Sequence, residues 1–484
     1  MRASNSTRRT VGYRLALGIF TAAAVALVAV GPSAPHPGAT QQSATAGVNT
    51  PVLLSSKVQP GEPVPMEVIT DRWGDLTRKG YRGQGIDVAL IDSGVTPVIG
   101  LDRPGKIVYG PDLSNEGGFP NLANLDTFGH GTHLAGIIAG DDGNEVGGIA
   151  TSSRIVSVKV AGATGATDIA QIVAGIDWVV EHKNDNGLNI RVLNLSLGVP
   201  GVTNSVGDPL SAAVERAWRA GILVIVAAGN RGNGAGGLDS PAISPYVVAV
   251  GATLAYESNE DRDVVASWSS VGTDQRAPDV VAPGRSVMSF RVPGSMLDQA
   301  FPSAAVGDSY FVGSGTSQAA AVVSGFAAAL FSKKPGLTPD QMKYLIVSAA
   351  KKVSGGNSWN AGSGRFDPSD TSKRFKEAGK APIQSFPTAI TGLAGDTWSG
   401  GTWTGASWSG GTWTGASWSG ASWSGASWSS GVWSGASWSS ASWSGASWSG
   451  ATWTGASWSG ASWSGASWSG ASWSGSTWMG ADWR

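Results

Sequence analysis

Three short motifs contain the side chains that a nucleophilic reaction needs. Asp92 lies in Ile-Asp-Ser-Gly, His130 begins His-Gly-Thr-His, and Ser317 ends Gly-Ser-Gly-Thr-Ser. A serine hydroxyl is a poor nucleophile until a neighbouring base removes its proton, and that base needs a third group to orient it. The sequence therefore contains a candidate orienting acid, a candidate base and a candidate nucleophile, each close to glycine.

The composition excludes several other kinds of chemistry and partner. The 484 residues include no cysteine, so a thiol nucleophile, a disulfide and a cysteine-ligated metal are all excluded. The net charge is −1, and no basic run follows the first twenty residues, so nothing indicates a nucleic-acid partner.

Histidine is scarce, which restricts the choice of base. His36 lies in a Pro-rich stretch and His182 in a charged stretch typical of a solvated helix end, so His130 and His133 are the candidates. These two are three residues apart on one face of a predicted helix, so a zinc site is the alternative to a catalytic base. Zinc needs a third ligand, and no Glu lies between them or within the next turn.

The middle of the chain alternates strands with helices. Continuous Val/Ile runs such as Ile86–Ile91 and Ile190–Leu195 predict buried parallel strands, and the fold class is α/β, a mostly parallel sheet with helices on both faces. Ligands bind beyond the carboxyl ends of such strands. Asp92, Ser196 and Asn230 each follow a predicted strand, so we expect them to converge.

Two further features fit acyl transfer. Ser317 begins an Ala-rich helix, whose first N–H groups lack partners, and the amide of Asn230 can donate to a developing oxyanion. Single residues have simpler explanations, because Ser317 alone can be a helix cap and Asp92 alone can be a turn residue.

Five motifs together resemble the motif set of the subtilisin-like serine peptidases, over about residues 71–380, and they occur in the order Asp, His, Ser known for that family. The resemblance implies Asp92 as the orienting acid, His130 as the base, Ser317 as the nucleophile, Asn230 as the oxyanion donor and a structural His133. The motifs are Ile91-Asp92-Ser93-Gly94-Val95, His130-Gly131-Thr132-His133-Leu134-Ala135-Gly136, Asn194-Leu195-Ser196-Leu197-Gly198, Ala228-Gly229-Asn230 and Gly315-Thr316-Ser317-Gln318-Ala319-Ala320.

The resemblance also implies a substrate-binding strand at Ser196, Leu197 and Gly198, where an extended polypeptide pairs by strand addition. We interpret Gly198 as keeping the wall of a side-chain pocket low. The family usually has Met where Gln318 stands and Pro where Ala321 stands, and neither position carries the chemistry.

No cofactor is required for this chemistry, but structural calcium is common in the family. Asp141-Asp142-Gly143-Asn144 has oxygen ligands for such an ion, and a solvated loop is the alternative.

The N-terminal residues predict export. Four arginines precede the apolar run Leu15–Val30, which is short for a membrane span, so residues 1–46 are interpreted as a signal peptide and 47–70 as a linker or short N-terminal segment. The alternative is an uncleaved signal anchor. Either implies an extracellular or cell-surface location.

Tryptophan recurs every five residues from Trp398 to Trp483, eighteen times. We place a linker at 381–393 and a repeat region at 394–484. A period of five fits a coil with four faces of five residues, and the repeats are similar to the pentapeptide-repeat family. A disordered Gly/Ser-rich tail is the alternative. Outward-facing rings would suit a cell-wall or polysaccharide partner.

Two functions therefore compete. The first is a secreted serine endopeptidase with an accessory repeat tail. The second is a surface- or cell-wall-binding repeat protein whose peptidase domain is degenerate. The intact set Asp92, His130, Asn230 and Ser317 favours the first.

Overall fold

The computed structural model describes residues 63–381, except 74, 144–145, 207, 234–235, 255–262 and 380. It also describes the backbone of Val52–Leu53 and of short strands between Thr397 and Trp483. The predicted signal peptide and residues 382–393 of the predicted linker at 381–393 lie outside the described residues.

One sheet forms the centre of residues 63–381. Its strands, from one edge to the other, are Val280–Pro283, Val248–Leu254, Leu223–Ala227, Ile190–Leu195, Asp87–Asp92, Arg154–Lys159 and Ile107–Asp112, and all neighbours pair in parallel. A short strand, Val264–Val265, adds antiparallel to Val248–Leu254. Asp87–Asp92, the first of these strands in sequence, lies inside the sheet between Ile190–Leu195 and Arg154–Lys159, so the chain continues to both sides of it. Ligand sites in open sheets lie at the carboxyl ends of strands around such a point.

Both faces of the sheet are covered. All six residues of Asp87–Asp92 are buried, and because successive strand side chains point to opposite faces, this burial requires helices on each. Helices His130–Ala139 and Thr316–Lys333 pack against each other and the sheet, and helices Ile169–His182 and Pro209–Arg219 form a second contacting pair. The predicted α/β class is confirmed.

Local sequence signals set the helix starts. Asp168 and Gln171 form a reciprocal capping box at the start of Ile169–His182, and Thr338 and Gln341 do the same for Pro339–Ser348. Asp and Thr are residue types that are preferred at helix starts. Each satisfies backbone N–H groups that a helix start otherwise leaves unpaired.

Several shorter elements were not predicted. They are the antiparallel strands Val287–Phe290, Tyr310–Gly313 and Ala305–Val306, the helices Met66–Trp73, Asp75–Arg78, Met296–Ala300 and Thr371–Ala378, and the 3₁₀ turns Asp185–Gly187, Pro302–Ala304 and Pro368–Asp370. Most are too short for a hydrophobic period to identify.

The domain starts earlier than predicted. Val64 bridges Val287 in parallel, and Met66 and Ile69 are buried in the core. The last residues of the predicted linker or short N-terminal segment at 47–70 therefore pack with the folded domain. No helix in the described part of the chain is long and apolar enough to span a membrane.

The repeat region forms short strands, each of two or three residues with Trp at its centre or end. Strands twenty residues apart pair in parallel, as in Trp398 with Trp418 and Trp418 with Trp438, and the described strands form four such sheets. The pairing has the period of four five-residue units that a four-faced coil requires. The direction of the tryptophan rings lies outside what is described.

Stability should depend on the buried side chains of helix Thr316–Lys333. Phe326 is fully buried and its ring lies edge-on to Phe366, with centroids 6.1 Å apart. Phe326→Ala should lower the free energy of unfolding by about 3–5 kcal/mol, because it removes buried contacts and leaves a cavity. Urea denaturation measures this. The control is Phe301→Ala, at a side chain 38% exposed, and equal losses in the two variants would contradict the packing described.

Candidate active site

Asp92 and His130 form a buried pair. Asp92 ends strand Asp87–Asp92, and His130 begins helix His130–Ala139. The imidazole Nδ1 lies 2.8 Å and 3.0 Å from the two carboxylate oxygens, and both residues are 1% exposed. A proton on Nδ1 is therefore shared with the carboxylate, which leaves Nε2 with its lone pair free to act as a base.

The surroundings of His130 favour its protonation. Burial lowers the pKa of His130, but the charge and hydrogen bond of Asp92, with a smaller contribution from Asp126, raise that pKa above its usual value. Within the described part of the chain, the buried Nε2 has no hydrogen-bond partner. The imidazole thus combines an unused acceptor with a stabilised protonated form, which are the two properties of a general base.

Asp126 is a site residue that the sequence reasoning missed. It is 1% exposed, and its carboxylate accepts hydrogen bonds of 2.7 Å from the Ser93 hydroxyl and from the backbone N–H groups of Gly129 and Thr132. Burial raises the pKa of Asp126, while those hydrogen bonds lower it, and the net direction is upward. The sequence signal that could have identified Asp126 is its position four residues before His130. A carboxylate there can accept hydrogen bonds from the N–H groups at the start of the helix.

Ser93 links the two carboxylates to this helix. Its backbone N–H donates to Asp92 at 2.8 Å, and its hydroxyl accepts from the N–H of Gly131 at 3.0 Å while donating to Asp126. The end of the strand and the start of the helix are therefore fixed to each other. A methyl group in place of the Gly131 hydrogen would lie 2.2 Å from the carbonyl oxygen of Gly94, which explains the glycine after His130.

Ser317 is the second residue of helix Thr316–Lys333 and is 2% exposed. Its hydroxyl donates to the carbonyl of Ser196 at 3.2 Å, and the Ser196 hydroxyl donates to the carbonyl of Ser317 at 3.3 Å. The structure thus brings the predicted nucleophile against the predicted substrate-binding strand. It does not form a hydrogen bond between Ser317 and His130, and catalytic hydrogen bonds are often unformed without substrate.

Thr316 orients the amide of Asn230. The side-chain oxygen of Asn230 accepts from the N–H of Thr316 at 2.9 Å and from its hydroxyl at 3.0 Å. A methyl group built on Gly315 would lie 3.4 Å from the amide nitrogen of Asn230 and 3.7 Å from the backbone nitrogen of Ser317. Two N–H donors therefore border the same small space beside Gly315, the arrangement that stabilises an oxyanion.

The structure gives a reason for glycine at position 198 that differs from the predicted low pocket wall. A Cβ at this position would lie 2.6 Å from the Cβ of Asp239. The adjoining residues Val199 and Ser240 exchange backbone hydrogen bonds of 2.8 Å and 2.9 Å. Glycine is therefore required by the close approach of the segment at Asp239, whose carboxylate is paired with Arg231 at 2.8 Å.

His133 lies one turn after His130 and has a structural position. Its Nε2 lies 3.1 Å from the carbonyl of Phe311, and its own carbonyl accepts from the hydroxyl of Ser289 at 2.8 Å. These bonds tie the helix to strands Val287–Phe290 and Tyr310–Gly313, the latter leading directly to Ser317. Burial lowers the pKa of His133 to about 4.

The residues considered for a zinc site and for a calcium site make other contacts. Among the described residues, no cluster of three or more His, Cys, Asp or Glu could hold a metal ion. In the loop proposed for calcium, Asp141 pairs with Arg103 at 2.6 Å and Asp142 accepts from the hydroxyl of Tyr310 at 2.6 Å. Asn144 lies outside the described residues.

Replacement of His133 should remove part of the pH dependence of stability. The folded state holds this imidazole neutral, with a pKa near 4 against 6.5 for the unfolded chain. Its contribution is therefore complete above pH 6.5 and is lost as the pH falls toward 4, by about 2 kcal/mol between pH 7 and pH 5. The destabilisation caused by His133→Gln should accordingly be smaller at pH 5 than at pH 7, as measured by urea unfolding. An equal destabilisation at both values would contradict a neutral buried His133. His182→Gln, at the end of another helix, is the control.

Comparisons with known proteins identify the family of this chain. Residues 83–365 match the model of the subtilase family, Peptidase_S8. The chain is 37% identical to the serine protease AprX of Bacillus subtilis, over 57% of this chain and 64% of that protein. It is 33% identical to subtilisin DY of Bacillus licheniformis, over 62% of this chain and 96% of that protein.

A solved structure, the crystal structure of a cold adapted subtilisin-like serine proteinase, matches 59% of this chain and 88% of its own with 29% identity and a TM-score of 0.44. The family model alone covers more than half of the chain, and it spans the strand of Asp92, the helix of His130 and the start of the helix of Ser317. The chain therefore belongs to the subtilase family.

Proposed function

We propose that the chain is a serine endopeptidase that hydrolyses peptide bonds of polypeptide substrates. The observation that carries the proposal is the buried Asp92–His130 pair, in which Nε2 has no partner within the described residues while Nδ1 is held by the carboxylate. Membership of the subtilase family supports the same reaction.

In the proposed reaction, the hydroxyl of Ser317 rotates from the Ser196 carbonyl toward His130 and attacks the carbonyl carbon of the substrate. The proton moves to Nε2 of His130, and Asp92 stabilises the imidazolium. The oxyanion accepts hydrogen bonds from the amide of Asn230 and the backbone N–H of Ser317. His130 then protonates the departing amine, the C–N bond breaks, and an acyl-serine forms.

Water completes the proposed cycle. The amine leaves, and His130 removes a proton from a water molecule that attacks the acyl group. Collapse of the second tetrahedral species breaks the bond to Ser317, and its oxygen recovers the proton from His130. These steps use only this chain's side chains and water, and a structural calcium ion at residues 141–144 stays a prediction.

The substrate is proposed to lie extended along Ser196–Gly198, where backbone groups pair with peptides of any sequence. Secretion, with residues 1–46 as a signal peptide and 71–380 as the main part of the peptidase domain, stays part of the proposal. The repeat region at 394–484 is proposed as an accessory module, because its strand register aligns tryptophans such as Trp418 and Trp438 in rows. Rows of aromatic residues suit stacking on cell-wall sugars. The alternative function is surface binding without peptidase activity.

Labelling separates the two functions. The full chain should react covalently with a fluorophosphonate probe, because an activated serine attacks phosphorus. Ser317→Ala should abolish labelling, whereas Ser314→Ala, three residues away in the same motif, should keep it. Labelling that is equally weak in the wild type and Ser317→Ala would overturn the peptidase proposal.

Removal of the oxyanion amide should slow the chemical step. For the asparagine donor of subtilisin, itself a subtilase, the measured loss is about 10²–10³ in kcat, and we expect Asn230→Ala to fall in that range. KM should change little, because the donor acts mainly on the transition state. The matched control is Gln275→Ala, at an exposed amide. A loss below threefold in Asn230→Ala, measured on a peptide substrate, would remove Asn230 from the mechanism.

The repeat region should determine retention on cell walls. The inactive full chain with Ser317→Ala should co-sediment with purified bacterial cell walls, and the same chain ending at Leu393 should stay in the supernatant. Equal behaviour of the two chains would contradict the binding role of the repeats.

A further inference from the structure

Three basic segments of the peptidase domain lie side by side. They are residues 75–82, residues 333–334 at the end of helix Thr316–Lys333, and residues 367–379, which include helix Thr371–Ala378. The ammonium nitrogen of Lys333 lies 5.3 Å from the ring centroid of Tyr81 and 4.9 Å from that of Phe375. Helix Asp75–Arg78 also contacts the 3₁₀ turn Pro368–Asp370. We call these three segments together the basic face.

The basic face has a surplus of positive charge. It contains eight basic and four acidic residues, whereas the whole chain contains 33 basic and 34 acidic residues. One of the four acids, Asp367, is 1% exposed and is paired with Lys351, which lies outside the face. Even when the other three acids are each paired within the face, five of the eight positive charges remain. The surplus therefore does not depend on any single cation being unpaired.

The face presents charge rather than apolar surface. Among its described basic side chains, the exposed ones are Arg78, Lys79, Arg82, Lys334 and Lys376. Within the part of the chain that the structure describes, the large exposed apolar side chains all lie in other segments. A surface that binds a lipid bilayer buries apolar side chains among the lipids. The face therefore fits an anionic polymer better than a membrane.

The aromatic rings of the face are engaged by its own cations. Lys333 lies against the rings of both Tyr81 and Phe375, and the ammonium nitrogen of Lys334 lies 5.9 Å from the ring centroid of Phe375. Proteins that bind single-stranded nucleic acids stack the bases on aromatic rings. Rings that already contact ammonium groups are poorly placed for such stacking, which favours a polyanion without bases.

The chain leaves the peptidase domain at this face. The N–H of Ala381 donates to the carbonyl of Ala378 at 3.0 Å, at the end of helix Thr371–Ala378. Only fifteen residues separate Ala381 from the first repeat strand, which begins at Thr397. The repeat region at 394–484 contains three charged residues, of which one is basic, so it lacks the charge to bind a polyanion by itself. A short tether therefore joins a charged surface to a region of aromatic rows.

We propose that the basic face binds an anionic, phosphate-bearing polymer of the bacterial cell wall. The choice of the cell wall rests on the proposed role of the repeat region, whereas the recognition of charge is independent of peptidase activity. Ammonium and guanidinium groups contact phosphate oxygens and release the counterions of the polymer, so the affinity falls as the salt concentration rises. Because the two regions are tethered, sugar binding by the repeats raises the effective concentration of phosphate at the face.

Binding to linear inorganic polyphosphate tests the charge recognition in the full chain. With Ser317→Ala, which prevents self-digestion, the affinity should fall steeply as salt rises. Adding Arg82→Gln/Lys334→Gln/Lys376→Gln should weaken binding at least about tenfold and lower the slope of log affinity against log salt by about 2, because each contact with a single-stranded polyanion contributes about 0.7. These three side chains are exposed, and urea unfolding checks that the fold is retained.

The matched control changes the net charge equally outside the face. It is Asn204→Asp/Gln275→Glu/Gln299→Glu, at three exposed amides, and it should keep the slope of the chain with Ser317→Ala alone. Equal losses of affinity in the two triple variants would overturn the inference. A salt slope near zero in the chain with Ser317→Ala alone would overturn it without any variant of the face.

Purified cell walls test the source of the phosphate. At low salt, the chain with Ser317→Ala should be retained more strongly on complete walls than on walls from which hydrofluoric acid has removed the phosphate polymer. The variant of the face should lose this difference. Equal retention of the chain with Ser317→Ala on both kinds of wall, or tighter binding to phosphatidylglycerol vesicles or to a single-stranded oligonucleotide than to complete walls, would overturn the assignment. Failure of fluorophosphonate labelling in the wild type would count only against the peptidase function.

Discussion

The site depends on one buried interaction, the contact of the Asp92 carboxylate with Nδ1 of His130. A carboxylate that is 1% exposed at the end of an apolar strand is costly unless it is paired and hydrogen-bonded. The imidazole supplies that partner, and the same contact fixes the tautomer that leaves Nε2 as acceptor. One interaction therefore makes the burial of Asp92 tolerable and sets the chemistry of His130.

The surrounding hydrogen bonds fix the strand end, the helix start and the amide of Asn230 around this pair. Asp126 and Ser93 join the strand end to the helix start, and Thr316 fixes the amide of Asn230. These hydrogen-bonded groups lie at the ends of strands and helices, where the sheet and the core constrain the backbone. In the proposed reaction, the side chain of Ser317 rotates from the Ser196 carbonyl toward His130 while these groups keep their positions.

The sequence predicted the parts of this arrangement that depend on local pattern. Val/Ile runs identified the central strands, and the strand ends placed Asp92 and Asn230 at one edge of the sheet. Contacts between distant segments were not predictable. Three such contacts join residues that only folding brings together. They are the hydrogen bond of Asp126 with Ser93, the approach of Asp239 that requires glycine at 198, and the strand pairing of Val52–Leu53 with Ala166–Thr167.

The pH dependence of kcat/KM for a peptide substrate, in the wild type and in Asp92→Asn, tests the central interaction most directly. The pKa of His130 is raised chiefly by Asp92 against the effect of burial, and only the neutral imidazole accepts a proton. Activity in the wild type should therefore appear with a midpoint above pH 6.5. Asp92→Asn should move that midpoint to lower pH and reduce the maximal rate by about 10⁴. An identical midpoint in both proteins would contradict the account.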